Sequence, residues 1–146
     1  MIATLASQIA TFLSLAIFAY ALLRGERTER IAAAAMLVAI FASGLILTSR
    51  TLFAALWIVF FIDLGLLALL AALAAKGRRI WPAVAAAFQL IGAATHAATA
   101  LDLRIGGWAY ATATWICSAG VVLALLSGMV SLELRRLRVR RGRSRA

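Results

Sequence analysis

Five runs of apolar residues, at 2–23, 31–47, 52–75, 80–101 and 108–130, fill almost the whole chain and leave only short links between them. A helix of about 20 apolar residues, rising about 1.5 Å per residue, matches a hydrocarbon layer about 30 Å thick. It also satisfies its own backbone N–H and C=O groups, which nothing else would do inside that layer. The expected fold is therefore all-α: a polytopic integral membrane helix bundle with five transmembrane helices. The run at 31–47 is the shortest, and a four-span arrangement would make it re-entrant or interfacial. The charges between the runs decide against that.

The links "RGERTER" (24–30), "TSRT" (48–51), "KGRR" (76–79) and "DLRIGG" (102–107) carry three, one, three and one Lys or Arg, and residues 131–146 carry seven. Basic loops resist translocation, so the rich links belong in the cytoplasm and the poor ones outside. Thirteen basic residues then lie inside and two outside, which needs five crossings, an outside N-terminus and a cytoplasmic C-terminus. Residues 1–130 form the transmembrane bundle in this frame, and 131–146 a basic cytoplasmic tail. Tyr20 and Trp81 fall at the inner boundary and Trp108 and Tyr110 at the outer one, where amphipathic rings sit at headgroup level. Trp81-Pro82 suits a helix start, because a first-turn proline gives up no needed N–H. "AYA" at 19–21 imitates a cleavage site, but the first run lacks the basic n-region of a signal peptide and is read as a helix.

Composition agrees: 65% of the residues are hydrophobic, against about 45–50% in ordinary soluble domains. The alanine and arginine bias suits a bacterial chain, so the expected location is the bacterial inner membrane. One cysteine, Cys117, permits no internal disulfide and falls where a packing residue would. The chain holds no HExxH, Walker loop, Rossmann glycine pattern or Cys/His pair spacing, and no asparagine for glycosylation. The net charge of +10 follows the topology instead of gathering on one folded face, so no nucleic-acid partner is expected. The dense strip is the tail, with Arg135, Arg136, Arg138, Arg140, Arg141, Arg143 and Arg145. It is expected to lie on anionic lipid, at about 1 kcal/mol per basic residue near the surface, or to meet a partner. Leu132, Leu134 and Leu137 extend the last helix by a turn or two.

Polar residues inside the runs recur at helical spacing. In the fourth run Pro82, Ala85, Gln89, Gly92, His96 and Thr99 share one face, in the first Thr4, Ser7, Thr11 and Ser14, and in the fifth Tyr110, Thr114, Cys117 and Val121. Gly120, Ala124 and Gly128 make a ridge of small residues that, with Gly92, lets helices approach closely. Asp63, within "FFIDLGLLALL", is different. An acid at the centre of a spanning helix costs about 2.5–3.5 kcal/mol and should face the bundle with a partner. Counting from the charged links puts Asp63 between Gln89 and His96 on the antiparallel fourth helix. Asp63, His96, Gln89, Thr95, Thr99 and Thr114 therefore form a candidate intramembrane polar site, either a satisfied contact that fixes helix register or a proton or cation site.

A single His per chain cannot supply a bis-histidine haem within one protomer, and no cofactor or metal is expected. "ERIAAAAM" and "RRIWPAVAAAF" each open a pair of runs, a faint internal repeat of the kind found in transporters. In general form the chain is similar to phage holins, to small accessory subunits of respiratory or photosynthetic complexes and to small exporters, a likeness that covers no specific residues. Three functions suit it. The first is a non-catalytic accessory or scaffold subunit of a larger inner-membrane assembly, partnered by other subunits or by itself. The others are a small transporter or channel-like protein using Asp63 and His96, and a holin-like permeabiliser. No nucleophile and base stand at catalytic spacing, so an enzyme is not expected.

Overall fold

The computed structural model describes residues 2–49, 52–77, 79–102, 104 and 106–143, and every regular element among them is a helix. In order they are α1 (Ile2–Arg24), α2 (Arg27–Ser49), α3 (Leu52–Lys76), α4 (Trp81–Leu101) and α5 (Gly107–Arg143). Four of them, α2 to α5, are long and apolar enough to cross a membrane; the apolar stretch described for α1, Gln8–Arg24, is shorter than that requires. Arg50, Arg78 and Arg145 lie outside the described residues, as do the side chains of Thr4, Ser7 and Arg143.

Two helices reach further than their apolar runs. α2 already begins at Arg27, so only Gly25 and Glu26 remain between it and α1. Arg and Glu are good helix formers, and Glu29 in the first turn of α2 complements the positive end of its dipole. Gly25 makes the tight link possible, because a Cβ there would stand 2.8 Å from the Glu29 Cβ. α5 continues 13 residues past 130, well beyond a turn or two. No glycine or proline interrupts it between Gly128 and Gly142. Arg136 donates to Glu133 one turn back at 2.9 Å, Arg135 Nε donates to the Ser131 carbonyl at 3.3 Å, and Leu132 is buried against the bundle. Tyr20 of α1 donates its O–H to Glu133 Oε1 at 3.2 Å and holds the extension to the first helix.

Each helix packs on its neighbour in sequence, most closely α3 on α4 and α4 on α5, and α5 also touches α1 and α2, so the bundle closes. α4 and α5 meet through small residues. Gly120 lies under the Phe88 ring and Gly128 under the Trp81 indole, where a Cβ would come within 2.6 Å of ring atoms. Gly92 faces Cys117 at ordinary van der Waals distance, and Ala124 is buried between these contacts. The core, including Phe18, Met36, Leu70, Leu125 and Met129, lies toward the end that carries Gly25, Arg79 and the α5 extension, here called the basic end. The outside of the bundle is apolar, with Phe12, Phe41, Phe61, Trp115 and Leu123 all exposed. A water-soluble chain rarely shows so much contiguous apolar surface, and such an exterior suits a lipid environment.

Candidate intramembrane polar site

Asp63, near the middle of α3, meets α4 at two points. His96 Nε2 stands 3.1 Å from Asp63 Oδ2, and Gln89 Nε2 reaches the Asp63 backbone carbonyl at 3.5 Å. The second imidazole nitrogen is also engaged, with His96 Nδ1 2.9 Å from the hydroxyl of Tyr110 on α5. The two rings meet edge to face, centroids 5.4 Å apart. Three helices are thus joined by one chain of hydrogen bonds, with the Asp63 and His96 side chains only 15% and 11% exposed.

That chain allows more than one self-consistent proton arrangement, and two of them differ by a single proton. In one, Asp63 is a carboxylate accepting from His96 Nε2–H, and Tyr110 O–H donates to Nδ1. In the other, a protonated Asp63 donates to Nε2, and Nδ1–H donates to the tyrosine oxygen. With Tyr110 a phenol in both, the second holds one proton more than the first, so passing between them means a proton gained or lost by the chain, without displacing a heavy atom. Between Gln89 and the level of Trp81 the buried side chains include Leu66, Leu70, Leu125 and Met129.

The remaining sequence candidates divide. Gln89 belongs to the site, whereas the threonine hydroxyls satisfy themselves on their own helices. Thr95 donates to Ile91 O, Thr99 to Thr95 O and Thr114 to Tyr110 O, each at 2.9 Å. Gly92, Gly120, Ala124 and Gly128 serve the α4–α5 contact. Tyr110, placed by the sequence at the outer boundary, is half-buried and reaches inward to His96. Its signal was its position at the head of the stripe that continues through Thr114 and Cys117.

A second polar cluster, which the sequence reading passed over, closes the basic end. The Arg79 guanidinium donates to both Glu29 Oε1 and Glu26 Oε2, and Trp81 Nε1–H donates to Glu29 Oε1 at 3.2 Å. Glu29 is fully buried, and its Oε2 has no hydrogen-bond partner among the described residues. Burial of Arg79 works to lower its pKa, but the hydrogen bonds and charges of Glu29 and Glu26 outweigh it and hold the guanidinium above its usual value. At the opposite end, Asp102 accepts from the Arg104 guanidinium and backbone N–H, which keep its carboxyl below the ordinary range. All five acids of the chain are therefore paired with Arg or His.

Among the described residues no three His, Cys, Asp or Glu side chains gather as a metal set would. Comparison with protein-family models, with curated proteins and with solved structures finds no match.

Proposed function

We propose that this chain is a five-span protein of the bacterial inner membrane, N-terminus outside and C-terminus cytoplasmic, acting as a non-catalytic accessory or scaffold subunit of a larger membrane assembly. The observation that carries the reading is the closure of its polar interior. Both His96 nitrogens are partnered, and buried leucines and methionine separate that chain of hydrogen bonds from the Glu29 cluster at the basic end. A pathway for ions or substrate needs polar groups to replace lost hydration along its length. This interior supplies them in two separate clusters, one linking α3, α4 and α5 and one around Glu29 at the basic end. The broad apolar exterior and the helical basic extension are the surfaces left for neighbours and for anionic lipid.

Affinity purification from native membranes tests this reading. The expected result is recovery with other membrane subunits in fixed ratio; a chain that runs alone in mild detergent overturns it. A reporter fused after Ser49 should read as external, and a cytoplasmic signal there refutes the five-span orientation.

One observation favours a second reading, a proton-coupled transporter or channel-like protein. The Asp63–His96–Tyr110 chain accommodates a proton in two places and runs from near the middle of α3 to the first turn of α5. Infrared difference spectra across a pH titration distinguish the two. A carboxyl band that appears and is lost in Asp63→Asn supports proton exchange, and its absence leaves the structural role. A holin-like permeabiliser would instead lyse cells on overexpression.

A further inference from the structure

At the basic end a cavity of about 600 Å³ opens between α4 and the extension of α5. Its polar lining is Arg79, Arg135 and Arg138 with the hydroxyl residues Thr28, Ser127 and Ser131, and no carboxylate lines it. The neighbouring cavity on the other side of α5, about 330 Å³, differs in including Glu133 beside its arginines. Ser127, Ser131, Arg135 and Arg138 follow one another at spacings of four, four and three, a single face of α5. Thr28 of α2 and Arg79 of the α3–α4 link approach that face from the opposite wall.

We propose that this cavity binds the phosphate headgroup of an anionic membrane lipid. Guanidinium groups pair with phosphate oxygens through parallel N–H donors, and serine and threonine hydroxyls complete such a site. The apolar part of the lining identifies the source of the phosphate. Ile80, Val84 and Leu134 are exposed along the rim, while Leu73 and the buried Trp81 continue the wall toward the apolar body of the bundle. A soluble anion has no use for that flank, whereas an acyl chain leaving the headgroup would lie along it. Arg79 is already held in place by Glu29 and Glu26, which offset its charge, so it contributes a fixed donor while Arg135 and Arg138 supply the positive charge. The proposal rests on the membrane reading above and requires no partner subunit.

The test uses the purified full chain in neutral detergent, with lipid retention read by native mass spectrometry. Phosphatidylglycerol should be retained over phosphatidylcholine of the same chains. Arg135→Gln with Arg138→Gln should weaken it about thirtyfold, on the scale expected for two basic residues near anionic lipid. Arg136→Gln with Arg140→Gln, the same change in charge on the other cavity, should alter it less than about twofold. Equal loss in both pairs means a diffuse electrostatic surface and overturns the site. Displacement of the lipid by inorganic phosphate alone assigns the cavity to a soluble anion and overturns the lipid. Should an arginine pair fail to fold, Ser127→Ala with Ser131→Ala keeps the charge and should still reduce selectivity over phosphatidylcholine; unchanged selectivity refutes the proposal. These measurements use the isolated chain, so they fail independently of the native-membrane purification that tests the accessory role.

Discussion

Tyr110→Phe removes one oxygen and almost no volume, and it separates two accounts of this residue. As a headgroup anchor, the hydroxyl would act on lipid or water whatever stands at position 96. As the 2.9 Å partner of His96 Nδ1, it acts only while that nitrogen is present. A buried group left unpaired costs about 1–3 kcal/mol, whereas interhelical hydrogen bonds in membrane bundles average about 0.6 and reach about 1.7. His96 is 9% exposed and Tyr110 half-buried, so water can replace part of the loss. The expected cost is about 1 kcal/mol, a fivefold change in the unfolding equilibrium. In a His96→Phe background the ring contact persists but the acceptor is gone, and the same substitution should cost less than about 0.3 kcal/mol. Reversible unfolding in bicelles, measured on all four members of this cycle, gives the coupling directly. An equal cost in both backgrounds would refute the hydrogen-bonded chain as an energetic unit and return Tyr110 to the interface.

Gly128→Ala should destabilise by about 1–3 kcal/mol, the range for overpacking, because Trp81 above it is 6% exposed and tied to Glu29. Gly120→Ala should cost less, since the Phe88 ring above it is only half-buried and can turn away. Gly65→Ala, with nothing within 4 Å of the added carbon, should be neutral or gain up to about 1 kcal/mol of helix propensity; the same unfolding assay ranks all three. At the basic end, Glu29→Ala strips Arg79 of its buried partner and should cost about 3 kcal/mol. Glu26→Ala should cost less than about 1 kcal/mol, as for an exposed pair, because the Glu26 side chain is 52% exposed. Asp63→Asn keeps an acceptor for His96 Nε2–H, so helical content by circular dichroism and, on the accessory-subunit proposal, recovery with other subunits by co-purification should be unchanged. Loss of assembly in that variant would mean that the charge itself is required.

The helices were legible because each apolar run has the length and purity of one, and the level of Asp63 between Gln89 and His96 follows from counting residues along two antiparallel neighbours. What escaped the reading is the behaviour of charged and hydroxyl residues at helix ends. "RGERTER" and the Arg-rich tail were read as loop and anchor by charge alone. Arg, Glu and Leu are good helix formers, however, and α2 and α5 simply continue through them. The Glu29–Arg79 contact joins residues 50 apart, and its sequence signal was slight: two acids inside links otherwise selected for positive charge. The threonines were grouped with Asp63 by face and depth. In an apolar surrounding the nearest acceptor for a hydroxyl is the carbonyl one turn back on its own helix, and that is where Thr95, Thr99 and Thr114 donate.

The two polar clusters act on the same helix. α4 is held at its first turn by Trp81, which donates to Glu29 of α2, and near its last turn by His96, which meets α3 and α5. In hydrocarbon, one apolar helix face is as well accommodated by lipid as by another helix, so greasy surfaces alone set neither rotation nor depth. α3 illustrates the difficulty, because its 25 residues include no charge but Asp63 and the terminal Lys76. Rotating α3 away from α4 would leave Asp63 unpartnered among side chains that offer it nothing. The acid thus raises the free energy of wrong packings more than it lowers that of the right one, which is how a buried polar contact specifies an arrangement without adding much stability. On this argument Asp63→Leu paired with His96→Leu should approach the wild-type unfolding free energy while broadening the α3–α4 cross-link pattern between engineered cysteine pairs. A double variant that is both strongly destabilised and still singly cross-linked would show that the contact contributes stability and not specificity.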